Sequence, residues 1–236
     1  MNKMIGCGCS FTYGYVKVRV DNSTRFITAI VEDYVTKVSN RLGIESINLS
    51  RPGASNYAIV KQIEYAITLD PSLVIIGATT PLRVDFSFPE TKLNKRPTIN
   101  DFDYGIYESK KFIGSFSKGN IVSKPIMYLL DHVAQDRRLL DIFKYHATYT
   151  DEFIKKDQDR LMLLGAFSLL NRKNIPYICV DFAKLISQDD AVNSISYGWR
   201  ELNDQFPSNH DPLHFSEDGH EFLANEILKQ LKGKLT

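Results

Sequence analysis

The chain has 236 residues, of which 43% are hydrophobic and 24% charged, and these proportions are ordinary for a globular protein. Its 29 basic and 28 acidic residues give a formal net charge of +1, so no overall field favours nucleic acid or a membrane surface as a partner. No segment has the apolar length of a membrane span, and the apolar stretch at the start is too short for a signal peptide; we therefore expect a cytoplasmic protein.

The first eighty residues predict an alternation of strands and helices. The predicted elements are a strand at 4–7, a loop at 10–25, a helix at 27–42, a strand at 46–49, a helix at 56–68 and a strand at 73–76. The last of these is a continuous apolar run, as expected of a strand buried on both faces. This order predicts a parallel sheet with right-handed crossovers.

The second half of the chain is less regular. Residues 85–124 are rich in aromatic, lysine and glycine residues and have no sustained periodicity. We predict helices at 125–145 and 151–171, a buried strand at 175–180, a long polar loop at 183–210, and a last helix that begins near Ser216. Residues 1–236 are read as a single domain, with an insertion at about 85–160 that is expected to form a lid or substrate wall.

The three cysteines, Cys7, Cys9 and Cys179, are too few and too irregularly spaced for a disulfide framework. Cys7 and Cys9 alternate along the first strand and are read as small buried hydrophobic residues. A Cys-x-Cys metal or redox site is the alternative, but no other soft ligands cluster in the sequence.

Two short segments at the ends of the chain carry the chemistry. Ser10 follows the first strand on a tight path between Gly8 and Gly14, and ligands of open α/β sheets bind beyond the carboxyl ends of the strands. Asp211 and His214 stand three residues apart on a predicted turn, where they offer an orienting carboxylate and a general base to that serine. The alternatives are a turn-forming serine, a hydrated surface turn, and a metal cluster that adds His210 or His220.

These segments resemble the blocks of the SGNH/GDSL hydrolase superfamily. The segment 8–14, Gly-Cys-Ser-Phe-Thr-Tyr-Gly, is similar to the family's first block, and 48–56, Asn-Leu-Ser-Arg-Pro-Gly-Ala-Ser-Asn, to its second. The Asp-x-x-His of 211–214 matches the last block in spacing and position. The resemblance implies an α/β fold with a three-layer, flavodoxin-like parallel sheet. It also implies a triad of Ser10, His214 and Asp211, and an oxyanion hole from the N–H groups of Ser10 and Gly53.

The third block departs from the family. Where the family has Gly-x-Asn-Asp, this chain has Gly77-Ala78-Thr79-Thr80, so Thr79 stands in place of an oxyanion-donating asparagine. This pattern is similar to that of an SGNH-like branch found in phages and surface-polysaccharide loci. Thr79 is the candidate third oxyanion donor, with Thr80, or Asn56 or Arg83 from a neighbouring loop, as alternatives for that role. Asn56, Thr80 and Arg83 are also candidate substrate-binding residues. A slow or inactive site is the alternative.

The sequence thus predicts an esterase of the acyl esterase or deacetylase type, which uses no cofactor and no metal. The expected partner is a small-molecule or carbohydrate ester, and neither nucleic acid nor membrane is expected; monomer and dimer stay open. Two other functions compete with this one. The first is an acyltransferase with the same triad, and the second is a non-catalytic binding or structural protein, which the Thr79 substitution motivates.

Overall fold

The computed structural model describes residues 3–19, 26–51, 53–81, 83–89, 106–107, 119–125, 151–190, 192–208 and 211–232. The strands are β1 Lys3–Cys7, β2 Tyr15–Arg19, β3 Phe26–Ile30, β4 Glu45–Asn48, β5 Leu73–Ala78, β6 Arg83–Pro89, β7 Ile106–Tyr107, β8 Gly119–Pro125, β9 Tyr177–Asp181, β10 Ser194–Ser196, β11 Pro207–Ser208 and β12 Asp211–Phe215. The helices are α1 Ser10–Tyr13, α2 Tyr34–Leu42, α3 Asn56–Thr68, α4 Glu152–Arg172, α5 Trp199–Gln205 and α6 Glu217–Lys232, with a 3-10 turn at Gln188–Asp190.

A five-stranded parallel sheet in the order β10-β9-β5-β1-β4 forms the centre of the fold. Counted within the sheet, this is the flavodoxin-like order 2-1-3-4-5. Every residue of β5 and of β9 is buried, which explains their continuous apolar sequences. In the sheet, β4 lies on one side of β1 and β5 lies on the other, so the chain reverses its direction across the sheet after β4. The crevice at the carboxyl end of β1 is therefore the expected ligand site.

Helices cover the sheet, α2 packing against α6 and α3 against α4, so the fold is the predicted three-layer α/β arrangement. Short polar side chains fix where these helices begin. Asp33 accepts a hydrogen bond from Thr36 N at 2.9 Å before α2, and Ser55 accepts one from Ala58 N at 3.1 Å before α3. Gly43 ends α2 in the left-handed conformation, with φ 66°.

The prediction for residues 10–42 is partly wrong. The predicted loop at 10–25 contains the one-turn helix α1 and the strand β2, and β2 pairs with β3 as an antiparallel hairpin. Residues 27–30, which fit a helical spacing, belong to β3, and the helix begins only at Tyr34. The physical reason is the Asp33 cap, since a capping side chain starts a helix more decisively than isolated apolar residues upstream of it.

Two further regions hold more regular structure than the sequence predicted. The described part of 85–124 forms the antiparallel sheet β6-β8-β7, although no strands were predicted there. The predicted polar loop at 183–210 contains the edge strand β10, helix α5 and β11. The predicted helix at 125–145 lies outside the described residues, apart from Pro125, which closes β8. Among the residues described, no helix combines the length and apolar character needed to span a membrane.

Candidate active site

Ser10 lies where the sequence placed it, just beyond the carboxyl end of β1. It is the first residue of α1, and the Cys9 carbonyl closes this turn by accepting hydrogen bonds from Thr12 N at 3.1 Å and Tyr13 N at 3.0 Å. Gly14 ends the turn in the left-handed conformation, with φ 73°. Because the first N–H groups of a helical turn have no partner within it, the Ser10 N–H is a suitable donor to an oxyanion.

Thr12 packs the Ser10 turn against the third block. The Tyr34 hydroxyl donates to Thr12 Oγ1 at 2.8 Å, and Thr12 is fully buried. A Cβ atom built on Gly8 or on Gly77 would overlap Thr12 Oγ1, so glycine is required at both positions for this approach. The two glycines thus allow the Ser10 turn and the end of β5 to lie in direct contact.

Gln62 on α3 holds the Gly8 backbone, two residues before Ser10. Gly8 N–H donates to Gln62 Oε1 at 2.6 Å, and Gln62 Nε2 donates back to Gly8 O at 3.2 Å. Sequence reasoning missed this residue. The available signal was a polar side chain on the inner face of α3, beside the buried Ile59 and Ile63.

The second block runs alongside the first. Leu49 N–H donates to Gly6 O at 2.7 Å and Arg51 N–H donates to Gly8 O at 3.1 Å, so the ladder between β1 and β4 continues beyond both strands. Gly53 follows on a buried turn with φ 81°, a conformation that favours glycine. The predicted oxyanion glycine is therefore carried to the crevice at the end of β1, and its role remains a prediction.

Thr79 follows β5 and is fully buried, and its backbone is held by Asn56. Thr79 N–H donates to Asn56 Oδ1 at 2.8 Å, and Asn56 Nδ2 donates to Thr79 O at 2.8 Å. Within the described part of the chain, Thr79 Oγ1 has no hydrogen-bond partner. Of the remaining candidates, Thr80 is half-buried beside it, and Arg83 begins β6 with a side chain that lies outside the description.

His214 lies against the turn that begins with Ser10. Its ring centroid is 5.2 Å from that of Phe11, the residue after Ser10, and the side chain is half-buried. Phe11 is fixed in turn by Phe182 at 5.2 Å and Phe215 at 5.7 Å. The fold therefore brings the last block to the first, although 203 positions (214 − 11) separate the contacting residues.

The predicted turn at Asp211 and His214 is wrong, because both residues lie on β12, which pairs with β11 across an irregular register. The Asp211 side chain is outside the description. In a regular strand, residues three apart face opposite sides, so this spacing does not by itself bring the carboxylate to the imidazole. The orienting role of Asp211 stays a prediction.

A second histidine, His220 on α6, lies close to His214 and has a different environment. It is buried between the rings of Tyr34, at 5.8 Å, and Phe215, at 4.6 Å. Burial, followed by electrostatic interactions with Lys37 and His214, lowers the pKa of His220 to about 3. An imidazole that stays neutral so far below pH 7 is a poor general base, so of the two histidines described here His214 is the candidate.

The cysteines are buried and free of disulfides, as expected of small hydrophobic residues. Burial raises the pKa of the Cys7 thiol, and burial together with the charge of Asp181 raises that of Cys179. Among the described side chains, no three histidine, cysteine, aspartate or glutamate residues converge as metal ligands would.

Solved structures resemble this fold along nearly all of its length. No known protein family and no curated protein matches the sequence. A carbohydrate esterase whose active site displays divergent catalytic and non-catalytic binding functions aligns over 98% of this chain and 68% of its own, with 10% identity and a TM-score of 0.52. The esterase EstA from Pseudoalteromonas sp. aligns over 100% and 99%, with 10% identity and a TM-score of 0.49.

A lipolytic protein of the G-D-S-L family from Desulfitobacterium hafniense DCB-2 aligns over 98% of this chain and 99% of its own, with 15% identity and a TM-score of 0.36. At these identities the likeness concerns the fold alone, and we base it on the carbohydrate esterase. The strand order 2-1-3-4-5 of the parallel sheet is likewise the flavodoxin-like order. The chain therefore has a flavodoxin-like parallel α/β fold, which it shares with the carbohydrate esterase.

Proposed function

We propose that this chain is a serine-dependent ester hydrolase that acts on a small-molecule or carbohydrate ester. The contact between the His214 and Phe11 rings carries the proposal, because it sets the candidate base beside the turn that begins with the candidate nucleophile. The likeness in fold to a carbohydrate esterase favours an acylated sugar as the natural substrate.

In the proposed mechanism, Ser10 Oγ attacks the ester carbonyl while His214 accepts its proton. The carbonyl oxygen takes up the negative charge and receives hydrogen bonds from the N–H groups of Ser10 and Gly53, with the Thr79 hydroxyl as the third donor. When the tetrahedral intermediate collapses, His214 returns the proton to the leaving alcohol, and an acyl–Ser10 ester remains. Water then repeats these steps and releases the acid. Asp211 is assigned the role of orienting His214.

Each proposed donor comes from a different block. Ser10 lies at the end of β1, Gly53 on the turn after β4, and Thr79 at the end of β5, and β1 stands between the other two strands in the sheet. Donors that the backbone already holds in place do not have to reorient when the carbonyl oxygen becomes negatively charged. They therefore stabilise the transition state at no reorganisation cost. The Thr79 hydroxyl is the candidate third donor because no described group of the protein already engages it.

The test is hydrolysis of p-nitrophenyl acetate and butyrate by the wild type beside Ser10→Ala. We expect turnover by the wild type and a loss on the order of 10⁴-fold or more in the variant, since the nucleophile is removed. Ser10→Ala keeps the Cβ and deletes only the hydroxyl, so the variant should fold, which circular dichroism checks. Equal trace rates in the two folded proteins would reject hydrolysis through Ser10 and favour a binding protein.

A further inference from the structure

A buried carboxylate outside all of the sequence blocks touches the proposed site from α4. Asp159 is fully buried, and its Oδ2 accepts a hydrogen bond from Asn56 Nδ2 at 2.9 Å. Lys155, one helical turn earlier, contacts the other carboxylate oxygen. Burial raises the pKa of Asp159, while the bonds from Lys155 and Asn56 oppose that rise. Burying a carboxylate is costly, so its place behind the third block calls for a physical reason.

That reason lies in how Asn56 bonds to Thr79. The amide of Asn56 donates to Thr79 O and accepts from Thr79 N–H, both at 2.8 Å, and thereby holds this residue's backbone on both sides. Only one orientation of the amide permits the pair. If the amide were turned over, its oxygen would face the Thr79 carbonyl and its NH₂ group would face the Thr79 N–H, and both contacts would be repulsive.

Asp159 selects the productive orientation. An ionised carboxylate only accepts hydrogen bonds, so it binds the NH₂ group of Asn56 and repels the amide oxygen. The second proton of Nδ2 is thereby used, and the first is left to Thr79 O. The Asp159 carboxylate thus influences the Thr79 backbone through the Asn56 side chain, although Asp159 and Thr79 are 80 positions apart in the sequence (159 − 79).

We infer that Asp159 is a positioning residue for the proposed oxyanion hole. It locks the Asn56 amide, which fixes the Thr79 backbone and thereby places the Thr79 hydroxyl, a group that makes no hydrogen bond to the residues described. This inference rests on the proposed esterase function. It assigns Asn56 a supporting role in place of direct substrate binding, because both protons of its amide nitrogen are engaged by protein oxygens. The hydroxyl would serve where the resembled family uses an asparagine amide.

The same kind of reciprocal bonding recurs one strand away. Gln62, six residues after Asn56 on α3, pairs with both polar groups of Gly8. Helix α3 therefore braces the loops that follow β1 and β5 with two buried amides. A rigid support of this kind suits a site in which small displacements of a donor cost rate.

A double-mutant cycle tests the inference. We expect Thr79→Val to lower kcat for p-nitrophenyl acetate by about 100-fold, as for loss of one oxyanion donor, with KM little changed. Asp159→Asn, whose amide no longer dictates the orientation of Asn56, should lower kcat by about tenfold when Thr79 is present. In the Thr79→Val background, Asp159→Asn should cause no further loss, because the hydroxyl that it positions is gone. Thr79→Ser, which keeps the hydroxyl, should retain most of the activity.

The matched control is Asp157→Asn, the same chemical change at an exposed position of the same helix, which should leave kcat within twofold of the wild type. If Asp159→Asn does not fold, Asp159→Ala takes its place in the cycle. Equal losses from Asp159→Asn in both backgrounds, no loss in either, or no effect of Thr79→Val would each overturn the inference while the Ser10-dependent rate stands. A rate that Ser10→Ala leaves unchanged would instead overturn the proposed function itself.

Discussion

Replacing His214 by alanine is expected to lower kcat/KM for p-nitrophenyl acetate on the order of 10⁴-fold or more, comparable to the loss in Ser10→Ala. Without a base, the Ser10 hydroxyl attacks as a weak nucleophile and the leaving alcohol receives no proton. The loss should not exceed that of Ser10→Ala by much, and the double variant should be no worse than either, because the two groups act as a unit.

The neighbouring histidine supplies a matched control for His214→Ala. His220→Phe keeps a ring between Tyr34 and Phe215, and since His220 has no place in the proposed mechanism, activity should stay within about threefold of the wild type. Steady-state kinetics of the two single variants, with folding checked by circular dichroism, decides between the histidines. A large loss in His220→Phe together with a small loss in His214→Ala would reverse the assignment.

The second large effect concerns stability in acid. Burial lowers the pKa of His220 in the folded protein to about 3 from its ordinary 6.5, so between these values the unfolded chain binds a proton that the folded protein does not. The stabilisation from keeping this imidazole neutral is therefore fully present above pH 6.5 and lost as the pH falls towards 3. At pH 5 the loss is about 2 kcal/mol, and it increases further until the pH approaches 3.

Urea unfolding of the wild type and His220→Phe at pH 7.5 and pH 5 measures this effect. Every other titrating group is common to the two proteins, so the difference between their pH dependences isolates His220. We expect the wild type to lose about 2 kcal/mol more than the variant between the two pH values. Parallel losses in the two proteins would show that His220 takes up its proton in the folded state as readily as in the unfolded chain.

The parts of the fold that the sequence predicted best are those with strong local patterns. Helix α3 has the predicted bounds, Asn56–Thr68, because the Ser55 cap and a regular apolar face agree. Strand β5 was recognised from its run of buried β-branched residues. These elements, with β1 and β4, carry the first three blocks, which is why the crevice at the end of β1 could be located without coordinates.

The parts that were missed are short or depend on distant contacts. Strand β10 has three residues, of which Ile195 alone is buried, so it lacks the alternation that marks a strand. Strand β10 forms because it pairs with β9, and the local sequence pattern contains no information about this pairing. The same holds for Asp159. Its sequence context indicates only a charged residue on a solvated helix, and its contact with Asn56, 103 positions away, is visible only in the structure.

The measurement that most directly tests the account is covalent capture of Ser10 by a fluorophosphonate. The reagent forms a phosphorus–oxygen bond with an activated serine and releases fluoride, so intact-protein and peptide mass spectrometry report both the stoichiometry and the site. We expect a single adduct on Ser10 in the wild type and no adduct in Ser10→Ala. In His214→Ala the rate of labelling should be strongly reduced. Folded wild-type protein that stays unlabelled, or that labels equally when Ser10 is alanine, would contradict the claim that Ser10 is a nucleophile activated by His214.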